Sequence, residues 1–589
     1  LSKKANDKIL KSSGIAAVLS LILFYVGNRL IDQILKTDVL FPENITYGID
    51  SVFSAILYRP FYISIDEIAL FFGLLSFLSI WLIWAKYFAF QGNYRINEEQ
   101  GSATWGNVNE GLVFKDTENE FNNIVFSKTF GMKVDRQKPM FKLDRNWNNL
   151  VVGGSGSGKT FCWVQPNLMQ LYGDYFLTDP KGDLLPEYGN FFVQNDYSVR
   201  SFNLWNMKQS LHYNPLAYVK TDQDILKFVN CLIKNTTPSD SSKSDPFWEK
   251  SEQLLYIALI SFLRDWMAPK DYNLSSLITL LDMAEAKEED ENFLSPLDLL
   301  FKQIEDGGKW VKKTDQSLTS NIEAFSRKVK NTETSRLKWV KSAYRHNTTG
   351  VKPADKGGLT MEEDFSLNYY KKFKVAAGKT LKSIIISCNV RLAPLAIREV
   401  RELLMYDEMQ LNSLGDPDQK SIIFAILPDT DKTFSFLFAI MMWQTIDLLC
   451  MKALLKYGKA LPRHVQFIFD EFANIGTIPD IEETIAVVRS RNIGIDVILQ
   501  SKSQLESRYE KKADTIIDCC DSTIFLGGKS QTTTEEISKI IGKETIHTLS
   551  YGESKGGQSG SSSKNLQTSG RDLIDPAEIA KMDREQAVI

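Results

Sequence analysis

Two apolar runs near the start of the chain interrupt an otherwise mixed pattern. Residues 12–28 carry no charge, and residues 68–85 repeat that pattern with Phe71, Phe72, Trp81 and Trp84. A helix needs about 20 mostly apolar residues to cross the hydrocarbon, and snorkelling Arg29 and Lys86 extend both runs to that length. The pattern predicts a two-helix transmembrane hairpin within residues 1–95. Lys3, Lys4, Lys8 and Lys11 precede the first run, as in a secretory signal, but Asn28 and Arg29 stand where small residues would mark cleavage, and a second span follows. Those lysines, with Lys86 and Arg95 after the second run, predict both termini on the cytoplasmic side. The loop between, residues 32–67, holds Asp32, Asp38, Glu43, Asp50, Asp66 and Glu67 against Lys36 and Arg59, which places a short acidic loop outside.

Past residue 92 the pattern is that of a cytoplasmic α/β body. An apolar strand at residues 149–152 runs into a glycine-rich turn, a helix from residue 160 to 171, and a second strand at 175–178. Short β-branched or aromatic runs at 421–427, 465–469, 493–499 and 523–526 read as further buried strands. Residues 221–373 have helical periodicity instead, which predicts an all-α domain inserted between a first part (96–220) and a second part (374–589) of the nucleotide-binding domain. The Gly/Ser-rich stretch 550–570 reads as a mobile loop. At 589 residues, 43% hydrophobic and 24% charged, the chain is neither disordered nor mostly membrane-embedded. Its net charge of −4 excludes a globally basic DNA coat. Residues 302–352 differ, with twelve Lys/Arg against five Asp/Glu, and form a candidate cargo or DNA contact. None of the six cysteines has C-x-x-C spacing, which argues against a zinc ribbon.

Gly153, Gly154, Ser155, Gly156, Ser157, Gly158, Lys159 and Thr160 fit G-x-x-x-x-G-K-[ST] between a strand and a helix. Glycines at this spacing let backbone N–H groups curl around phosphate oxygens. Lys159 then neutralises the β/γ-phosphates of ATP, and the Thr160 hydroxyl ligates Mg²⁺. The run 465–469 ends in Asp470 and Glu471, the first suited to the Mg²⁺ shell and the second to polarising the attacking water. Asp470 lies 311 residues beyond Lys159, a spacing that itself requires an insertion. Gln500 ends the strand 493–499, where an amide can sense the γ-phosphate. Arg489 and Arg491 precede that strand, where Arg489 can reach a neighbouring subunit's nucleotide. Residues 179–183 (Asp-Pro-Lys-Gly-Asp) either border the site or simply form a turn.

These residues resemble the type IV coupling proteins of conjugation and type IV secretion, the TraG/TraD-like membrane ATPases. The likeness rests on residues 101–105, the loop 151–160, residues 178–183 and 213–216, the run Asp470-Glu471-Phe472-Ala473-Asn474-Ile475-Gly476, Arg489 to Arg491, Gln500-Ser501 and residues 571–574. The resemblance implies a RecA-like P-loop domain with an inserted all-α domain and a membrane hairpin. It further implies a homo-hexameric DNA translocase that docks a relaxase with its accessory proteins, grips single-stranded DNA, and feeds a type IV secretion channel. It implies that Lys159, Thr160, Asp470, Glu471, Arg489 and Gln500 match the family's loop, metal, base, finger and sensor positions. The competing readings are an FtsK-class chromosome translocase and a protein-substrate receptor in which ATP is structural.

Overall fold

With neither proline nor charge inside them, the two apolar runs have nothing to stop a helix, and both are helical in the computed structural model. The structure describes residues 3–37, 43–89, 98–134, 145–237, 246–286, 293–306, 308–312, 337–341, 362–376, 378–428, 433–556 and 559–589. The chain divides into two compact units: Leu1–Thr104 with Gly542–Arg571, and Trp105–Ile541 with Asp572–Ile589.

In the first unit, α1 (Lys3–Leu35) packs along α3 (Glu67–Ala89), with α2 (Glu43–Tyr58) between them in the chain. Small residues set the approach. A Cβ added to Gly27 would stand 2.7 Å from Ser76 Oγ, and one added to Gly73 would stand 3.1 Å from the Phe24 carbonyl. Helices in lipid associate through such packing, since burial of apolar surface supplies no driving force there. The Asn28 amide ties α1 to the segment just before α3, donating to Ser64 O (3.0 Å) and accepting from Ser64 N (2.8 Å). Among the described residues three helices are long and apolar enough to cross a membrane: Ser12–Leu35, Glu67–Tyr87 and Ser435–Leu455. The first two are consistent with membrane anchoring. The third has 61% of its apolar window buried within its own unit, against 22% and 11% for the others.

The mobile loop expected at 550–570 is corrected by the structure. Strands Lys543–Gly556 and Ser559–Asp572 pair with each other there. The base of the pair is held from far along the chain: Thr545 Oγ1 accepts from the backbone N–H of Gln100 and Gly101 and donates to Gly101 O. Such a partner leaves no local signal, and Gly/Ser composition alone misreads the segment.

In the second unit a short helix, Val108–Gly111, precedes the antiparallel pair β1 (Asn123–Val125) and β2 (Gly131–Lys133). Strands β3 (Asn149–Val152), β4 (Asp174–Thr178) and β5 (Tyr197–Asn203) follow. Among the described residues of 221–373 helices dominate, including Asp222–Thr236, Pro246–Trp266 and Leu274–Asp282. The expectation of a wholly α-helical insertion needs correction, because β6 (Gly308–Lys312) pairs antiparallel with β7 (Leu337–Lys341). Both strands carry Lys-Trp-Val-Lys, with Trp310 opposite Trp339, and Trp and Val favour the pleated chain. Most of the basic stretch 302–352 lies outside the described residues.

Strands β8 (Lys420–Ile426), β9 (Val465–Phe469), β10 (Ile493–Leu499) and β11 (Ser522–Phe525) complete a seven-stranded parallel sheet in the order β11-β3-β10-β9-β4-β8-β5. Strands β3, β4, β9 and β10 are buried at every position, as a sheet covered on both faces demands. Helix Ser435–Leu455 lies among the core residues, with Phe436, Leu437, Phe438 and Ile440 buried. Within the sheet Phe176 stacks on Phe467 at 5.5 Å.

Candidate functional site

In a parallel sheet all strands end on one edge, and the register brings four ends together: Val152 pairs with Leu499, Val497 with Phe469, and Phe469 with Thr178. Residues just past these ends therefore converge where α/β proteins bind ligands. The turn after β3 is anchored to its neighbours, as Gly153 N donates to Leu499 O (3.0 Å) and Gly154 N to Gly527 O (2.8 Å). Gly156 and Gly158 hold φ of +74° and +84°, which side chains bearing a Cβ resist at about 1–2 kcal/mol each. The helix begins at Thr160 with one π turn, Thr160–Val164, and continues as Gln165–Leu168.

Lys159 is buried, and its ammonium donates to the carbonyls of Gly153 (2.8 Å) and Gly154 (3.2 Å). Burial pulls its pKa down, while the charges of Asp470 and Glu471 push it back up. Thr160 Oγ1 donates to Asp470 Oδ2 at 2.9 Å, joining the loop to the end of β9 across the intervening strand β10. Burial drives the Asp470 carboxyl up to about 6, opposed by the Thr160 hydrogen bond. The Asp470 carbonyl also accepts from Thr178 Oγ1 (3.0 Å).

Glu471 sits at φ +59°, a left-handed conformation rare for a glutamate. Its two carboxylate oxygens are each held by an amide: Gln500 Nε2 donates to Oε1 (2.8 Å) and Asn474 Nδ2 to Oε2 (2.7 Å). Strain of this kind persists where surrounding contacts over-determine it. The two-amide grip aims the carboxylate.

Lys159, Thr160, Asp470, Glu471 and Gln500 thus meet at one edge. Arg489 does not join them. It lies in the turn Arg489–Arg491 at the other end of β10, whose seven residues span about 20 Å. Arg491 donates from Nη1 to Lys459 O (3.3 Å). The segment 179–183 does both things left open by its sequence. Asp179 closes a turn by accepting from Gly182 N and Leu184 N (2.9 Å each), while the charge of Lys181 is felt at both Lys159 and Asp470. Asn474 and Thr178 were missed as site residues. Asn474 lies three residues after Glu471 in the run 470–476, and only the left-handed turn at Glu471 makes that spacing a contact.

The donor set suits a Mg²⁺–polyphosphate. Ser157 Oγ is buried with no hydrogen-bond partner among the described residues, the Lys159 ammonium is beside it in the loop, and a hydroxyl and a carboxylate stand together as hard oxygen ligands.

The family model described as type IV secretory system conjugative DNA transfer matches residues 96–589. A solved structure of the bacterial conjugative coupling protein TrwBdeltaN70, in complex with sulphate, is similar at 13% identity over 84% of this chain and 92% of that chain, with a TM-score of 0.50. The plasmid coupling protein TrwB with the ATP analogue ADPNP is 15% identical over 85% of this chain and 92% of that one, with a TM-score of 0.48. With ADP and Mg²⁺ it is 14% identical over the same shares, with a TM-score of 0.47. No curated protein matches the chain.

Proposed function

The chain belongs to the type IV secretory system conjugative DNA transfer family, and we propose that it is the ATPase that moves a relaxase-bound DNA strand into the secretion channel. The observation that supports ATP turnover is the joining of the two halves of the site: Thr160 bonded to Asp470, and Glu471 held by Gln500 and Asn474. The family match over the whole region after residue 96 leaves the FtsK-class translocase and the receptor with structural ATP unfavoured.

We assign residues 96–220 and 374–589 to a RecA-like motor, 221–373 to its insertion, and 1–95 to a two-pass membrane anchor with both termini and the motor cytoplasmic. Six copies form the active ring. Gly153 and Gly154 fix the turn to the sheet, the backbone N–H groups further along the loop 153–160 bind the phosphates of ATP, and Lys159 exchanges its two loop carbonyls for phosphate oxygens. Thr160 and Asp470 hold Mg²⁺, which supplies divalent charge to the phosphates when bound. Glu471, fixed by its two amides, orients the attacking water and accepts its proton. Gln500 bonds to Glu471 and ends the strand beside the loop, so it senses the γ-phosphate and the base together. Arg489 faces away from its own site and serves the neighbour's.

The test is ATP hydrolysis by the purified full chain with and without single-stranded DNA. Stimulation by DNA is expected; stimulation by a protein cargo alone would revive the receptor reading.

A further inference from the structure

The acidic loop conceals a cationic cavity. Beyond the apolar part of α1, a cavity of about 580 Å³ is lined by Arg29, Lys36 and Arg59 with Ser54, Tyr58 and Tyr62, and among the described residues no carboxylate lines it. Asp32, one turn before Lys36, is already taken by Lys36 at 2.7 Å and Arg29 at 3.8 Å. Among the described residues three cations thus stand against this one carboxylate.

Arg29 is only 3% exposed, and its Nε finds no hydrogen-bond partner among the described residues. Its other nitrogens contact Ala55 O and Asp32. A buried guanidinium with a donor left without a hydrogen bond is costly, and an anion in the adjoining cavity would offset its charge. The Tyr62 ring cannot serve as a cage for a quaternary amine, because Arg29 and Lys36 already approach it at 4.9 and 5.3 Å. The cavity therefore suits an anion.

Its surroundings say which anion. Arg29 lies 17 residues beyond Ser12, about 26 Å along a helix, which is close to the thickness of the hydrocarbon and so at headgroup depth. Ser54 and Tyr58 of α2 face the cavity, while Ile49, Phe53 and Leu57 form a stripe on its other side that is 50%, 75% and 82% exposed. A helix with a polar inner face and a bare apolar outer face lies in the interface plane, where acyl chains cover the stripe. We infer that this cavity binds the phosphodiester headgroup of an anionic glycerophospholipid, with Arg29, Lys36 and Arg59 as its cations. The inference borrows from the proposed function only that α1 and α3 are embedded in lipid.

The experiment uses the full chain purified in an uncharged detergent. Dihexanoyl phosphatidylglycerol, dihexanoyl phosphatidylcholine and inorganic phosphate are titrated separately, with the thermal midpoint and native mass spectrometry as readouts. Saturable binding of the glycerol lipid is expected, at least about tenfold tighter than the choline lipid. Lys36→Gln and Arg59→Gln, both at exposed side chains, should each weaken it about fivefold, the loss expected from one hydrogen bond to the headgroup. Equal affinity for the two lipids, or no loss in the double variant, overturns the proposal. Inorganic phosphate binding as tightly as the lipid would overturn the lipid assignment. Recovery of the chain in water without detergent would refute the embedding, an outcome separate from loss of headgroup discrimination.

Discussion

A carboxylate gripped by two amides cannot wander, and that makes Glu471 the most informative single position. Glu471→Gln keeps the Thr160–Asp470 pair and should bind ATP yet hydrolyse it about 10²–10⁴-fold more slowly, read as nucleotide retained on the protein. Asn474→Ala removes one grip without touching the base, and a loss of roughly tenfold in turnover with unchanged nucleotide affinity is expected from one hydrogen bond. A fall in affinity instead would place Asn474 on the nucleotide. Lys159→Ala should abolish hydrolysis while leaving membrane association intact; wild-type turnover in that variant would remove the loop from the mechanism.

At the scale of elements, legibility followed how local the cause was. The strands β3, β9 and β10 announce themselves as short apolar runs because they are covered on both faces, and the glycine turn announces itself because its φ angles demand glycine. Strand β5 leaves no apolar run, because Ser198, Arg200, Ser201 and Asn203 interrupt it and only three of its seven positions are buried. The Asn474 grip depends on a positive φ at Glu471, and the pair 543–572 on Thr545 reaching Gln100 and Gly101, so neither leaves a mark in its own window. The sheet also carries a pH dependence. Asp174 of β4 and Asp496 of β10 are fully buried carboxyls pushed up to about 7 by burial. From about pH 4 to about pH 7 the folded chain keeps protons that the unfolded chain has released, so stability falls as pH rises through that window. Each carboxyl contributes a slope of at most about 1.4 kcal/mol per pH unit. Urea midpoints measured across the window should decline, and Asp496→Asn should flatten the decline; a midpoint that rises with pH would contradict the buried neutral acids.

For the whole molecule, the opposition of Gln500 and Arg489 along β10 has a measurable meaning. Arg489→Ala should be inactive alone, with a loss of about 10³–10⁵ where such fingers act, yet regain ATPase activity when co-assembled with Lys159→Ala, because some intact loops then meet intact fingers. Verified mixed assemblies without recovery would return Arg489 to a role within its own subunit. The helix Ser435–Leu455 bears on how the protein is made rather than how it works. By length and hydropathy it qualifies as a membrane span, yet it lies among the core residues beside the sheet. Its ionic groups gather late: Asp447 pairs with Lys227 and Lys452 with Asp416. During translation β3, β4, β5 and β8 emerge before this helix, whereas β9, β10 and β11 emerge after it. The helix thus leaves the ribosome before three of the seven strands of its sheet, and the four already made are the surface on which it can dock.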